Sequence, residues 1–424
     1  MIAIILFGSL ILNLAIGMPI AVAIGMSALV SFLYMGFPLA ALAARMFAGV
    51  NSFTLLAIPF FMLAGSLMSE GGMSKRLIRL ANAIVGILPG GLAHVQVLAS
   101  MFFAALSGSS PATTAAIGST LIPEMSKKGY PREFSAAVQS VAGTIGTIIP
   151  PSIPMVVFGV VGAQSIGKLF AAGFIPGIIY GLALMIIIYF ISKKRKYGST
   201  TEFSFGECWV SFKDSFWALL VPIIILGGIY SGIFTPTEAG AVACVYGLFA
   251  GVCIYKELNF NNLPIVFTTA AINTAMVLLI ISAASVFSWI LNIEGVAALV
   301  GNWFISTSSG QTIFLLLVIV LLLFMGCFME TVACVLIITP ILLPVAISLG
   351  IDPIHFGIVV VMTLSLGMST PPVGENLYIA ASIANVSFEK LVKNIWPFII
   401  TAIIVILLVA FIPPISMFLP NCLY

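Results

Sequence analysis

The chain has 424 residues, of which 61% are hydrophobic and 7% charged, with a formal net charge of +3. Soluble domains carry roughly 25% charged residues, and several apolar runs here reach the ~20 residues that cross a bilayer as a helix. A soluble fold is excluded, and the long, unalternating runs exclude a transmembrane β-barrel. The expected class is an all-α polytopic membrane protein. The first helix starts at residue 2 without a basic leader or a small-residue cleavage site, so a retained helix is expected rather than a removed signal.

In chain order, crossings are expected at 2–16, 18–35, 53–70, 132–162 and 169–192, the fourth interrupted at Pro150 and Pro151. A short basic amphipathic stretch at 74–80 leads into an apolar segment at 91–126 that is broken in its middle. The second part gives crossings at 216–234, 237–255, 265–291, 354–384 and 395–419, with an interruption at Pro371 and Pro372 and a second broken segment at 311–346. A polar connection, 193–215, opens with the run Lys193, Lys194, Arg195, Lys196 and divides the chain into 1–192 and 216–424.

The segment around 105–123 reads ALSGSSPATTAAIGSTLIP. Its hydroxyls, glycine and proline interrupt a run that is otherwise apolar. Basic residues flank it on both sides: Lys75, Arg76 and Arg79 before, Lys127, Lys128 and Arg132 after. Basic residues mark cytoplasmic ends, so the segment is expected to enter the membrane and return on the same side. Broken backbone at membrane depth is tolerated only where protein buries it or a polar cavity lies beside it. With both termini outside, all of the sixteen lysines and arginines except Arg45 and Lys168 fall on cytoplasmic segments, and the outward loops at 292–310 and 347–353 carry none.

The two parts are related. A shift of 221 residues superimposes Pro123 on Pro344, Pro150 on Pro371, Pro151 on Pro372, Pro176 on Pro397 and Gly146 on Gly367. Five crossings per part, an odd number, turn the second upside down relative to the first. The expected fold is therefore two inverted repeats, each of five crossings and one re-entrant hairpin, the plan of secondary transporters, with a binding site near the midplane where the broken elements meet.

Four elements should carry the chemistry: 107–114, 143–152, 326–331 and 367–376. Proline removes a helical hydrogen bond, so each break frees carbonyl oxygens. Hard cations take oxygen ligands, and helix N-termini favour anions. One geometry can thus hold Na⁺ on carbonyls and a carboxylate on N–H groups and hydroxyls. Single Ser and Thr residues in membrane helices often only bond the preceding turn or a neighbouring helix. Glu330 is an ionisable group at a hairpin tip, where such groups usually face a polar cavity. Glu375 could cap the helix that follows Pro372. Glu238, in Thr235-Pro236-Thr237-Glu238, fits a capping box. No GxxxxGK[ST] occurs, so neither ATP hydrolysis nor another nucleotide role is expected, and a nucleic-acid partner is not expected either. The six cysteines form no CxxC pair and read as packing residues; His94 and His355 stand alone, against a histidine metal site.

The residues SGSSPATTAAIGSTLIPEM at 107–125, GTIIPPSIPM at 146–155, FTPTEAGAVA at 234–243 and LGMSTPPVGENLY at 366–378 resemble the large membrane subunit of tripartite ATP-independent periplasmic (TRAP) transporters. The likeness runs over essentially the whole chain. It implies an elevator-type transporter with a scaffold and a moving transport domain, set in the bacterial inner membrane. It implies a small four-helix membrane subunit encoded separately, a periplasmic substrate-binding protein, and sodium-driven import of an organic acid such as a C4-dicarboxylate or a sialic acid. Carried over by position, one Na⁺ site would involve Ser107, Ser110, Gly143 and Thr147, and a second Gly326, Cys327, Gly367 and Thr370. Substrate would lie between Ser109, Thr113, Ser152, Glu330 and Ser369. The alternatives are a stand-alone sodium–carboxylate symporter on the same plan, a channel, and, more distantly, a membrane enzyme, for which no nucleophile–base pair appears.

Overall fold

The computed structural model describes residues 1–198, 204–296, 298–300 and 310–424. Parts of the 193–215 connection and of the expected outward loop at 292–310 lie outside the described residues. Among those described, helices and turns account for the whole architecture and no strand occurs. Among the described residues, eight helical segments are long and apolar enough to cross a membrane.

The first part contains α1 (Ile2–Ala15), α2 (Ile20–Tyr34), α3 (Leu39–Val50), α4 (Ala57–Glu70), α5 (Met73–Val85), α6 (Gly91–Ser107), α7 (Ser110–Lys127), α8 (Arg132–Gly143), α9 (Ile153–Val161) and α10 (Ile166–Arg195). The second part contains α11 (Phe205–Tyr230), α12 (Pro236–Phe249), α13 (Leu263–Ile293), α14 (Gln311–Phe328), α15 (Thr331–Ser348), α16 (Pro353–Gly367), α17 (Glu375–Ala384), α18 (Phe388–Phe411) and α19 (Pro414–Leu423). Helix starts repeat the 221-residue offset: Ser110 and Thr331 open α7 and α15, and Arg132 and Pro353 open α8 and α16.

Several elements depart from the expected spans. α3 is a further helix between the expected crossings 18–35 and 53–70. Its period places Arg45 over the Trp289 ring of α13, 4.6 Å from the centroid. α11 starts at Phe205, inside the expected connection, because Ser204 caps it by accepting from the Glu207 amide. The last crossing bends where Pro413 cannot continue α18. α1 and α2 have 14 and 15 residues, roughly 21–23 Å at 1.5 Å per residue, shorter than the ~30 Å hydrocarbon core.

Packing sorts the helices into two groups. α2, α3 and α4 pack against α13, α1 lies on α2, and α4 runs along α12. The second group joins both parts: α7, α8 and α10 pack with α16, α17 and α18, α6 packs on α7, α8 and α10, and α15 lies on α9 and α16 and faces α13 of the first group. α5 bridges the groups, touching α6 and α11. Arg76 anchors it. Its Nη1 donates to Glu257 at 2.7 Å, its Nε lies 3.4 Å from Asp214, and its guanidinium sits 3.9 Å from the Tyr255 ring centroid. Burial pushes the Glu257 carboxyl up, but hydrogen bonds from Arg76 and Lys75 outweigh it and hold the group below the usual carboxylate range.

Small residues let α4 and α12 approach closely, as at membrane helix interfaces generally. A Cβ on Gly240 would stand 2.9 Å from the Phe60 Cβ. Gly240→Leu should therefore overpack this seam, costing about 1–3 kcal/mol. A thermal melt in detergent checks this: a lowered unfolding temperature is expected, and an unchanged one would contradict the packing.

Candidate functional site

Hairpin one turns at Gly108 and Ser109. Gly108 takes φ 62°, a left-handed conformation that closes α6, and a Cβ there would meet the Pro151 carbonyl oxygen at 2.8 Å. Ser109 caps α7 by accepting from the Ala112 amide, with Pro111 in the first turn. The Ser-Gly-Ser-Ser-Pro sequence thus specifies a helix stop and start within four residues. The Ser107 and Thr113 hydroxyls stand 2.9 Å apart, and Thr113 Oγ1 donates to the Ser109 carbonyl at 2.8 Å.

Opposite it, α8 ends at Gly143 and a 3-10 turn, Thr144–Thr147, leads to the cis Pro150–Pro151 bond. Ser152 restarts the helix as the cap of α9 and donates to the Thr147 carbonyl at 2.6 Å. The Ile153 amide then donates to the Gly108 carbonyl at 3.1 Å, tying the break to the hairpin tip.

The second part repeats this construction. α14 ends at Phe328, and Glu330 caps α15, its Oε2 accepting from the Val332 and Ala333 amides at 2.9 and 3.2 Å. The second break holds a cis Pro371–Pro372 bond and Gly374 at φ 60°. The Gly374 amide donates to the Cys327 carbonyl at 2.9 Å. Shifting Gly374 by 221 gives Ile153, so the same position of each break ties to its own hairpin. Backbone meets backbone here: a Cβ on Gly367 would lie 2.6 Å from the Gly326 Cα.

The two units touch. Thr147 Oγ1 and Ser365 Oγ are 2.5 Å apart. Ser369 Oγ donates to the Ser140 carbonyl at 2.7 Å. Asn376 Nδ2 donates to Ser110 Oγ at 2.7 Å and to Ser369 Oγ at 3.1 Å. Between the tips lies a cleft of about 40 Å³, bordered by Ser109, Ser110, Pro111 and Thr147 on one side and by Glu330 and Thr331 on the other. Met62 of α4 and Val277 of α13 wall it from the first helix group.

The structure places the sequence-predicted residues as follows. Ser107 and Ser110 share the hairpin-one tip; Gly143 faces α7, where a Cβ would collide with Thr114 Oγ1; Thr147 borders the cleft. Gly326 and Gly367 are in backbone contact. Cys327 Sγ donates to the Pro371 carbonyl at 3.5 Å, and the Thr370 amide donates to the Gly367 carbonyl at 2.9 Å. Among the residues expected around substrate, Ser109 and Glu330 border the cleft. Thr113, Ser152 and Ser369 instead turn their hydroxyls onto the backbone carbonyls of Ser109, Thr147 and Ser140.

Ser140, Ser365 and Asn376 were not singled out from the sequence as binding residues, yet they form the polar link between the parts, while Gln139 donates within the first part to Ser100 Oγ and the Thr113 carbonyl. Their signal was present: Gln139 and Ser140 are adjacent polar residues within a buried, mostly apolar helix. Asn376 Oδ1, Ser140 Oγ and Gln139 Oε1 are buried and accept or donate no hydrogen bond within the described residues. Buried oxygens of this kind are ligands that a hard cation takes. No group of three or more His, Cys, Asp and Glu side chains converges among the described residues.

Two hairpins, each tied to its own broken helix around one polar cleft in an apolar bundle, define a membrane transporter architecture. The sequence model described as "Tripartite ATP-independent periplasmic transporter, DctM component" matches residues 7–415. The chain belongs to this family and is a TRAP transporter large permease subunit. It is 40% identical over 436 residues to the C4-dicarboxylate TRAP transporter large permease protein DctM of Rhodobacter capsulatus, covering 99% of each chain. It is 39% identical to the sialic acid TRAP transporter large permease protein SiaM of Vibrio cholerae, covering 89% of each. It is 44% identical to the isethionate TRAP transporter permease protein DctMQ of Oleidesulfovibrio alaskensis, where the match takes in 98% of this chain and 66% of that protein's length. The crystal structure of the Alcanivorax borkumensis YdaH transporter shares the fold, with TM-score 0.61, 14% identity and 88% coverage of each chain.

Asn376→Ala should leave the Ser110 and Ser369 hydroxyls without their donor in a buried site, a loss of about 1–3 kcal/mol. Thermal unfolding in detergent should show a clear drop. The exposed Ser119→Ala should stay within about 0.5 kcal/mol of the parent. Equal behaviour of the two would contradict the bridging role.

Proposed function

We propose that this chain is the transport subunit of a sodium-coupled importer of organic acids, of the C4-dicarboxylate or sialic acid class, working by an elevator movement. The observation that carries the reading is the cleft where two hairpin–break units from the two parts of the chain meet. We place it in the bacterial inner membrane with both ends periplasmic, beside a small four-helix membrane subunit, and supplied by a periplasmic substrate-binding protein. The two parts are inverted repeats, so hairpin one opens from the cytoplasm and hairpin two from outside.

Helices α6–α10 and α14–α18 would move as the transport domain against α1–α4 and α11–α13. An apolar cavity of about 110 Å³ supports this division. It is bordered by Gly49 and Ile281 on one side and by Val157 and Leu336 on the other. A loosely filled apolar seam has few directional bonds to break on sliding. Na⁺ would be held by Ser107, Ser110, Gly143 and Thr147 at one break and by Gly326, Cys327, Gly367 and Thr370 at the other. The cleft has room for water-sized molecules rather than a whole organic acid, so substrate entry requires the tips to part.

Glu330 sets the coupling. Its carboxylate already complements the N-terminus of α15, which leaves the N-terminus of α7, at Ser109 and Ser110, for the substrate carboxylate. A fixed carboxylate across a narrow cleft repels an anion, and Na⁺ bound between them offsets that repulsion. Two Na⁺ with one monoanion carry one net charge inward, worth about 2.3 kcal/mol per 100 mV. The membrane potential then assists uptake.

The test is uptake of labelled organic acids into liposomes holding this chain and its small membrane subunit, with the binding protein added outside. Uptake should require an inward Na⁺ gradient, and Ser110→Ala and Thr370→Ala should each lower it about tenfold, ~1.4 kcal/mol of transition-state stabilisation. Uptake that persists without Na⁺ would contradict the coupling. Uptake without the binding protein would favour a stand-alone symporter.

A further inference from the structure

Away from the cleft, a groove of about 380 Å³ opens where the end of α10 meets the start of α18, a size typical of small-ligand sites, about 300–1,000 Å³. Behind it lie the buried rings of Phe134 of α8 and Phe398 of α18, and its accessible apolar wall is Ile191 of α10 and Pro397 of α18. Its rim is cationic and polar, from Lys194, Arg195 and Asn394. Arg195 lies over the Phe134 ring, 5.4 Å from the centroid, which holds its guanidinium at the groove mouth.

The position is a boundary. The apolar run of α10 ends at Ile191 and gives way to the basic run from Lys193 to Lys196. Exposed Trp396 stands at the same level on α18, where interfacial aromatics gather. Lys390 and Lys393 extend the positive charge along the first turns of α18. Every ion pair among the described residues involves Lys75, Arg76 or Arg79, so none neutralises this cluster, and Glu389 on α18 pairs with none of it. The groove therefore offers apolar surface below, unneutralised cations above, and an opening at the level of lipid headgroups.

We propose that this groove binds an anionic phospholipid, its phosphate on Lys194 and Arg195 and its acyl chains along Ile191 and Pro397. Charge complementarity selects an anion, and the apolar wall of Ile191 and Pro397 selects one with a hydrocarbon tail over free phosphate. Basic pockets between membrane helices commonly hold such headgroups. Because α8 and α18 also pack against α17, which carries Asn376, a lipid here would brace the rear of the hairpin-one assembly.

Native mass spectrometry of the detergent-purified chain, titrated with phosphatidylglycerol, tests this. The double variant Lys194→Ala, Arg195→Ala should weaken retention by about fivefold per charge removed, about 25-fold in all. Lys168→Ala, at the opposite end of α10 from Lys194, should leave it unchanged. Asn394→Trp, which keeps every charge and fills the groove, should abolish binding and carries the test alone if the double variant fails to fold. Equal retention of phosphatidylcholine, displacement by soluble glycerol phosphate, or full binding by Asn394→Trp would each overturn the proposal.

Discussion

Two backbone hydrogen bonds hold this architecture at its weakest places. In hydrocarbon an unpaired amide or carbonyl costs several kcal/mol, so a broken helix inside a membrane must find partners in other protein. The Ile153 amide finds the Gly108 carbonyl, and the Gly374 amide finds the Cys327 carbonyl. Each break thereby becomes inseparable from one hairpin tip. The glycines at 108, 326 and 367 follow from this contact, since side chains there would meet backbone atoms at 3.0 Å or less. The capping hydroxyls of Ser109 and Ser152 follow as well, because each helix that restarts after a break has amides to satisfy.

That pairing gives the site its two chemical faces. Carbonyls released by the breaks could serve a cation, and the amides of restarted helices an anion. The sides are not equivalent. α7 begins with a neutral serine and α15 with a carboxylate, although Ser109 and Glu330 are related by the 221-residue shift. This asymmetry, produced by one residue difference between related positions, gives one tip a neutral cap and the other a carboxylate cap. The cross-part link through Asn376, Ser369 and Ser140 then makes the position of one tip dependent on the other.

Much of this was legible in the sequence because it rests on residues with few alternative readings. Pro150, Pro151, Pro371 and Pro372 cannot continue a helix, and the Gly-Ser-Ser-Pro turn has one natural conformation. The offset that relates the prolines also relates the starts of α7 and α15 and of α8 and α16. What escaped depends on side-chain direction. Thr113, Ser152 and Ser369 belong to the right segments, but their hydroxyls serve nearby carbonyls, and no spacing rule decides between the two uses. Ser140 and Asn376 gain meaning only when α8 and α17 are brought together from opposite parts of the chain. α3 was missed because its twelve residues are too few to announce a crossing.

Hydrogen–deuterium exchange of the purified subunit in Na⁺ against K⁺ tests most directly whether the cation organises both tips. The account predicts that Na⁺ slows exchange in 108–114 and in 326–333 together, with the Ile153 and Gly374 amides following them, while the α4–α12 seam is unaffected. Identical exchange in the two salts, or protection spread evenly over the molecule, would contradict it.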